Sequence, residues 1–298
     1  MSTNVPNLRH RIGLHVLPVS TILLLVVIVW YGLAIAMNAS GVIERILSPR
    51  GEWSSGDLIA AALNAKRPLL PAPHQIVMDI WNSITGWPID SPRNLLLHTW
   101  VTASAALTGF AMGMVLGIVL AICIVHSRTL DKALLPWIVA SQTIPVLAIA
   151  PIVLIILGSM GISGMLPKAT IAMYLCFFPV TIATVQGLRS PQKLEMELVH
   201  TYAASRVNTF WMVRLPSSLP WLFPAFRVAL ASGLVGTMVA ELPTGAQAGL
   251  GARLLTGSYY GNTLQIWSAL AMASLLGLTL TGLLGLVERL TIRQHKGA

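Results

Sequence analysis

Residues 94–127 read NLLLHTWVTASAALTGFAMGMVLGIVLAICIVHS, a run of 34 residues without a single Asp, Glu, Lys or Arg. About 20 apolar residues suffice for one helix to cross a bilayer. The run does not alternate apolar and polar residues in the manner of a barrel strand. It is therefore predicted to be a membrane-spanning helix.

Charge-free runs recur along the chain. Four more cover residues 12–43, 133–167, 169–188 and 254–287, and a sixth apolar stretch from Trp221 to Leu242 contains only Arg227 and Glu241 as charged residues. Of the 298 residues 55% are hydrophobic and 10% charged, whereas soluble proteins carry roughly 25% charged residues. The composition excludes a soluble enzyme, a disulfide scaffold and a disordered chain, and predicts an all-α polytopic membrane protein with about six transmembrane helices.

The runs divide the chain into successive segments. The predicted order is a cytoplasmic N-terminus 1–16, a first transmembrane helix 17–37, an outer segment 38–96, a five-helix core 97–290 with a cytoplasmic loop 187–220, and a cytoplasmic tail 291–298. Within the core the predicted helices are 99–125, 133–157, 167–186, 221–242 and 264–287. The first apolar stretch is longer than the roughly 7–15 residues of a signal-peptide core, so it is expected to stay uncleaved.

The net charge is +9, and the distribution of its Lys and Arg residues indicates how the chain is oriented in the membrane. With both termini inside, eleven Lys and Arg fall on cytoplasmic segments, whereas the short outer loops carry only Lys168 and Arg253. This asymmetry follows the positive-inside rule. The basic balance is thus expected to reflect contact with anionic membrane lipid, with no nucleic acid as a partner.

The outer segment contains a second kind of helix. Ile76, Val77, Ile80, Trp81 and Ile84 recur at helical spacing, which predicts an amphipathic helix. It would lie either at the membrane surface or against the protein itself, and the pattern favours neither.

Glycines and prolines mark two of the predicted spans. Gly109, Gly113 and Gly117 repeat every four residues, which favours close packing of another helix of the same chain. The span 133–157 holds three prolines, Pro136, Pro145 and Pro151, which predict a kinked helix. The kink either lines a transport path or only serves packing.

Polar residues on the third and fifth helices are the candidates for a substrate path. They are Gln142, Thr143, Ser232, Thr237 and Glu241. Glu241 alternatively has a structural role at the end of its helix, and that alternative is slightly favoured.

Catalytic and metal-binding patterns are missing from the sequence. No Gly-Lys dipeptide occurs, so the chain has no Walker A loop for binding ATP. The seven histidines show no metal-ligand spacing. No nucleophile and base can be paired, so an intramembrane enzyme is poorly supported.

The cytoplasmic loop contains the most informative stretch, ELVHTYAASRVNTFWMVRLP at 197–216. Its apolar positions recur near helical spacing, which predicts two short helices meeting at Ala203 and projecting from the membrane. A small residue permits close approach at such a turn. Alanine favours ordinary backbone dihedrals, so the turn is expected to be tighter or more helical than with glycine.

This stretch resembles the EAA loop of permease subunits of bacterial ABC importers. The family pattern is Glu-Ala-Ala, three residues, Gly, nine residues, Ile, any residue, Leu-Pro. Glu197, Val213, Leu215 and Pro216 fall in register, and Ala203 stands at the glycine. Further similarities run through residues 69–290, and they point to the branch that imports nitrate, bicarbonate, sulfonates, taurine and thiamine precursors.

The resemblance implies the type I importer fold and a non-catalytic membrane subunit. It implies an inner-membrane location. The implied partners are two ATP-binding cassette subunits, a second permease copy in a homodimer or heterodimer, and an external solute-binding protein. ATP and Mg would be bound by the partners and no cofactor by this chain. The residues implied to couple to the ATPases are Glu197, Tyr202, Ala203, Ala204, Ser205, Arg206, Leu215 and Pro216.

Other function classes account for less of the sequence. A stand-alone channel or secondary carrier would leave the loop 187–220 without a purpose, and it lacks the mid-membrane acid that a proton-coupled carrier usually needs. Neither the importer interpretation nor the channel or carrier interpretation specifies the substrate.

Overall fold

A computed structural model describes the backbone of residues 8–242 and 248–295. Every regular element in those ranges is helical, which confirms the predicted all-α class. The ends 1–7 and 296–298, which belong to the predicted cytoplasmic termini, lie outside the described residues.

Twelve α-helices follow one another through the described ranges. They are α1 Leu8–Val42, α2 Ser55–Leu63, α3 Pro73–Thr85, α4 Leu95–His126, α5 Arg128–Ser141, α6 Val146–Ser159, α7 Met165–Leu188, α8 Lys193–Thr201, α9 Arg206–Thr209, α10 Leu215–Ala240, α11 Leu250–Tyr259 and α12 Thr263–His295. A π-helical turn, Ile43–Leu47, extends α1, and another, Phe210–Arg214, joins α9 to α10.

Five stretches are long and apolar enough to cross a membrane. They are Leu17–Leu47, Leu95–His126, Met165–Leu188, Arg206–Ala240 and Thr263–Thr291. The pair α5 and α6 makes a sixth if it counts as one broken span. This agrees with the prediction of about six transmembrane helices.

The chain forms two compact units. The first takes the chain up to Gly86 together with Thr256–Ser268. In it, the buried Asn38 of α1 is held by the incoming segment: its Oδ1 accepts from the backbone N–H of Leu69 at 2.7 Å, and its Nδ2 donates to the Leu70 carbonyl at 2.9 Å. The first helix therefore extends well past residue 37, because the outer segment packs on its final turns.

Helix α3 divides its apolar residues between two rows. Ile76 is buried, and Ile80 and Ile84 are half-buried. Val77 and Trp81 are exposed, with 67% and 64% of their surface accessible. The helix thus packs on the first unit through one row only, and the other row leaves the membrane-surface alternative open.

The second unit takes Trp87–Leu255 and the chain from Ala269 onward. Its core is built from α4, α7 and α10. Gly109, Gly113 and Gly117 of α4 are buried against α7, and a Cβ at Gly117 would lie only 2.9 Å from Val180 Cβ. The predicted role of this glycine repeat, close packing within the chain, is confirmed.

The third predicted span is not one kinked helix. Helices α5 and α6 meet at about 100° across a break at residues 142–145. Pro136 and Pro151 lie inside the two helices, whereas Pro145 immediately precedes α6. The middle proline breaks the span because the residue before a proline is pushed out of the helical region.

Candidate functional site

Helix α8 ends in a hydrogen-bonded turn at the predicted corner. The N–H of Ala204 donates to the Val199 carbonyl at 3.2 Å, and the N–H of Ala203 donates to the His200 carbonyl at 2.9 Å. These two bonds form a Schellman motif, which satisfies carbonyls that a helix end otherwise leaves unpaired. The corner is therefore a defined structure and not a loose loop.

Ala203 has a left-handed backbone with φ of +51°. Ala203 is the sole non-glycine residue with a positive φ in the part of the chain that the structure describes. The expectation of an ordinary backbone at this alanine was wrong. The Schellman motif requires a left-handed residue after the helix, so the two hydrogen bonds hold alanine in a conformation that glycine adopts more readily.

The next helix begins directly after the corner. The Ser205 hydroxyl accepts a hydrogen bond from the Asn208 N–H at 3.2 Å, which is a standard N-terminal cap. From Arg206 the chain stays helical to Ala240. The predicted loop 187–220 is thus mostly helical, and Leu215 and Pro216 begin α10 itself, ahead of the predicted start at 221.

The outward face of α8 is apolar. Leu194 and Leu198, one turn apart, expose 74% and 57% of their surface, and Tyr202 at the corner exposes 78%. We call Leu194, Leu198 and Tyr202 the outward row. Large apolar side chains so exposed on a polar, charged segment are a candidate interaction surface.

Glu197 lies beside the outward row. Its carboxylate is 3.8 Å from Lys193 Nζ, one turn earlier, and its side chain is 62% exposed. Glu197 and Arg206, on either side of the corner, form no ion pair with each other. An exposed pair of this kind stabilises by only about 0–1 kcal/mol, so the ion pair adds little to the stability of α8.

Comparison with known proteins is decisive for the class of this molecule. Residues 113–293 match the family described as binding-protein-dependent transport system inner membrane component. The chain belongs to that family. It is a transmembrane permease subunit of ABC-transporter type, and the inner membrane is the location that the family implies.

Three relatives illustrate the branch. The riboflavin transport system permease protein RibX of Chloroflexus aurantiacus is 35% identical over 76% of this chain and 80% of its own length. The formylaminopyrimidine transport permease protein ThiX of Halalkalibacterium halodurans is 34% identical over 65% of this chain and 72% of its own. The taurine transport system permease protein TauC of Escherichia coli is 27% identical over 78% and 82%.

The predicted path residues of the permease fall in two places. Gln142 and Thr143 lie in the break between α5 and α6, and both are exposed. Ser232 and Thr237 lie on α10, half-buried and fully buried, and the Thr237 hydroxyl donates to the Gly233 carbonyl of its own helix at 3.0 Å. Among the described residues no hydrogen bond joins the break to α10, so the path assignment stays a prediction.

Glu241 is the most enclosed of the predicted path residues. Its carboxylate has no exposed surface and lies 3.4 Å from Lys168 Nζ. Thr102 Oγ1 of α4 donates to it at 3.0 Å, and the Gly251 N–H donates at 2.8 Å. One carboxylate thus joins α4, α7, the end of α10 and the start of α11. These contacts favour the structural alternative for Glu241.

Several neighbours complete this cluster. Lys168 also donates to the Ala248 carbonyl at 2.9 Å. Thr102 Oγ1 accepts from the Leu250 N–H at 2.8 Å, and His98 Nδ1 accepts from the Gly249 N–H at 3.0 Å. A side-chain carbon at Gly249 would overlap the Glu241 carboxylate, so glycine is required there for the close approach.

Sequence reasoning missed Lys168 as a partner. The charge distribution places it in an outer loop, but it lies in the first turn of α7 and is 8% exposed. Its isolation between two long charge-free runs was a usable signal, since a lone intramembrane charge normally has a partner. Glu241 is the acidic residue that falls within the predicted membrane spans, so it was the natural candidate for that partner.

Proposed function

We propose that residues 197–216 couple the permease to the ATPase subunits of its transporter. The outward row carries this proposal, because a docking partner would cover apolar surface that otherwise faces water. The residues proposed to act in coupling are those of the predicted set: Glu197, Tyr202, Ala203, Ala204, Ser205, Arg206, Leu215 and Pro216. The Schellman corner and the Ser205 cap support a role in which the outward row is presented rigidly.

The proposed assembly contains two ATP-binding cassette subunits, a second permease copy and an external solute-binding protein. ATP and Mg belong to the cassette subunits in this proposal, since the permease sequence has no Walker A loop. Both termini face the cytoplasm, as the distribution of Lys and Arg favours. ATP binding drives alternating access by favouring one of two permease conformations.

The proposed substrate is a small nitrogen-containing heteroaromatic molecule. The relatives named for riboflavin and formylaminopyrimidine are 35% and 34% identical to this chain. The relatives named for aliphatic sulfonates and taurine are 25% and 27% identical. Uptake of labelled riboflavin or of a labelled aminopyrimidine tests this assignment, and taurine is expected not to compete with it. Uptake of taurine without uptake of either heteroaromatic molecule would contradict the assignment.

Coupling is tested by co-purification and uptake. The permease is expressed with its ATPase as wild type, as Glu197→Lys and as Glu44→Lys. Glu44 is an exposed glutamate in the first unit, so it is a matched control for the same charge change. We expect Glu197→Lys to lose the ATPase in detergent and to lose ATP-driven uptake, while Glu44→Lys retains both. Wild-type association and uptake in Glu197→Lys would refute the coupling role.

A further inference from the structure

A basic cavity lies between the end of α4 and the coupling segment. Its volume is about 310 Å³, and nine residues line it. Four of them have basic side chains, His126, His200, Arg206 and Arg214, and none is acidic. A cavity lined in this way attracts an anion.

The two arginines are available to such a ligand. Neither Arg206 nor Arg214 makes an ion pair within the described part of the chain. His126 Nδ1 lies 2.8 Å from the Ile122 carbonyl, to which it donates, and this fixes the ring and leaves Nε2 for other contacts. Arginine binds phosphate oxygens through two parallel hydrogen bonds, which suits it to a phosphate group.

An apolar groove adjoins the cavity. It measures about 220 Å³ and is lined by Ile122, Val207, Phe210 and Trp211, together with His126 and Arg206, which line both spaces. The two shared side chains place a basic pocket at the head of an apolar surface. A ligand that fills both spaces has an anionic head and an apolar tail.

The site lies at the boundary of two membrane spans. His126 is the last residue of one span and Arg206 the first of another. Helix α8 turns Met196, Val199 and His200 toward the cavity, whereas Leu194 and Leu198 lie on its opposite face. A ligand in the cavity therefore leaves the outward row uncovered.

We propose that this site binds one anionic glycerophospholipid. Its phosphate lies between Arg206 and Arg214, and an acyl chain lies along the groove beside Trp211. A free phosphate ion would leave the apolar groove unfilled, which is why the lipid is the occupant. Clusters of basic residues at the ends of membrane helices bind anionic headgroups. The bound lipid would join α8 to the end of α4.

Brominated lipids test the proposal, because bromine quenches nearby tryptophan fluorescence. The purified permease is titrated with phosphatidylglycerol or phosphatidylcholine that carries brominated acyl chains. The chain has nine tryptophans, so the signal of Trp211 is taken as the difference between wild type and Trp211→Phe. We expect phosphatidylglycerol to quench Trp211 with at least about tenfold higher affinity than phosphatidylcholine, as two arginine contacts predict.

Variants locate the headgroup. Arg206→Gln with Arg214→Gln is expected to abolish the preference for phosphatidylglycerol, whereas Lys132→Gln, which removes an exposed charge from α5, retains it. Equal quenching by the two lipids in wild type, or an unchanged preference in the double variant, would overturn the proposal. Displacement by inorganic phosphate beyond that caused by sodium chloride of equal ionic strength would identify free phosphate as the ligand, and would also overturn it.

The lipid-binding experiment gives an interpretable result in two circumstances. The comparison of the two lipids on the unaltered protein tests the proposal even if a variant does not fold. The measurement contains no ATPase subunit, so its result is independent of the proposed coupling function.

Discussion

Two lysine–glutamate pairs lie at opposite ends of the permease core, in contrasting surroundings. Lys168 and Glu241 are 3.4 Å apart, with 10% and 0% of their side chains exposed. Lys193 and Glu197 are 3.8 Å apart, with 92% and 62% exposed. The first pair joins α7 to the end of α10, and the second joins adjacent turns of one helix.

The comparison shows that a charge pair's role depends on its surroundings. A buried charge that loses its partner is strongly destabilising, because the remaining charge cannot be solvated. An exposed charge is solvated with or without its partner. The buried pair is therefore expected to determine stability, and the exposed pair to contribute only through a binding partner.

The largest expected effect comes from breaking the buried pair. Glu241→Ala removes the acceptor of Lys168, Thr102 and the Gly251 N–H. We expect it to lower the free energy of unfolding by about 3–5 kcal/mol, because a buried ammonium group is left alone. Thermal unfolding of the detergent-purified protein measures this, with Glu197→Ala as the control at about 0–1 kcal/mol. Equal losses in the two variants would contradict the contrast between the pairs.

A second test removes both buried charges. Lys168→Met combined with Glu241→Gln leaves no uncompensated charge in the cluster. We expect the double variant to be more stable than the sum of the single variants allows, by about 0.5–3 kcal/mol, since the two groups are in contact. Additive losses in a thermal unfolding series would show that the charges do not interact.

A smaller effect is expected at the exposed end, where the backbone rather than the ion pair defines the structure. Ala203→Gly relieves a left-handed alanine with φ of +51°. We expect a gain of about 0.5–1 kcal/mol, the strain relieved being partly offset by glycine's greater freedom in the unfolded chain. Chemical unfolding followed by tryptophan fluorescence measures the gain; a loss of stability would mean that the Ala203 methyl group makes a favourable contact.

The smallest effect is expected for Lys193→Ala. The pair is exposed and spans one helical turn, and such pairs contribute about 0.2–0.5 kcal/mol. An unfolding midpoint within error of wild type is the expected result. A large shift would show that Glu197 depends on Lys193 for its position.

The membrane spans were predictable because long charge-free runs have few alternatives to a helix in a bilayer. The break between α5 and α6 was not, because three prolines looked alike in sequence while only Pro145 interrupts the helix. Pro136 and Pro151 lie within helices that continue through them. Counting prolines therefore indicates distortion but does not locate it.

The functional segment shows a similar limit. The family pattern located the corner at Ala203, but alanine gave no sign of a left-handed backbone. The conformation follows from two hydrogen bonds to residues three and five positions earlier, which no single residue type reveals. Lys168 likewise became a partner of Glu241 only through the packing of α7 on α10.

The helix from Arg206 to Ala240 runs without a break from the corner at Ala203 to the buried cluster. Its 35 residues correspond to a rod about 52 Å long at 1.5 Å per residue. It begins just after the Schellman corner and ends next to Glu241, whose carboxylate contacts α4, α7 and α11. A turn of one degree about its Glu241 end would move the corner by about 0.9 Å. The π-helical turn, Pro220 and Pro224 lie between the corner and about the middle of the helix, so any bend is expected there and not beside Glu241.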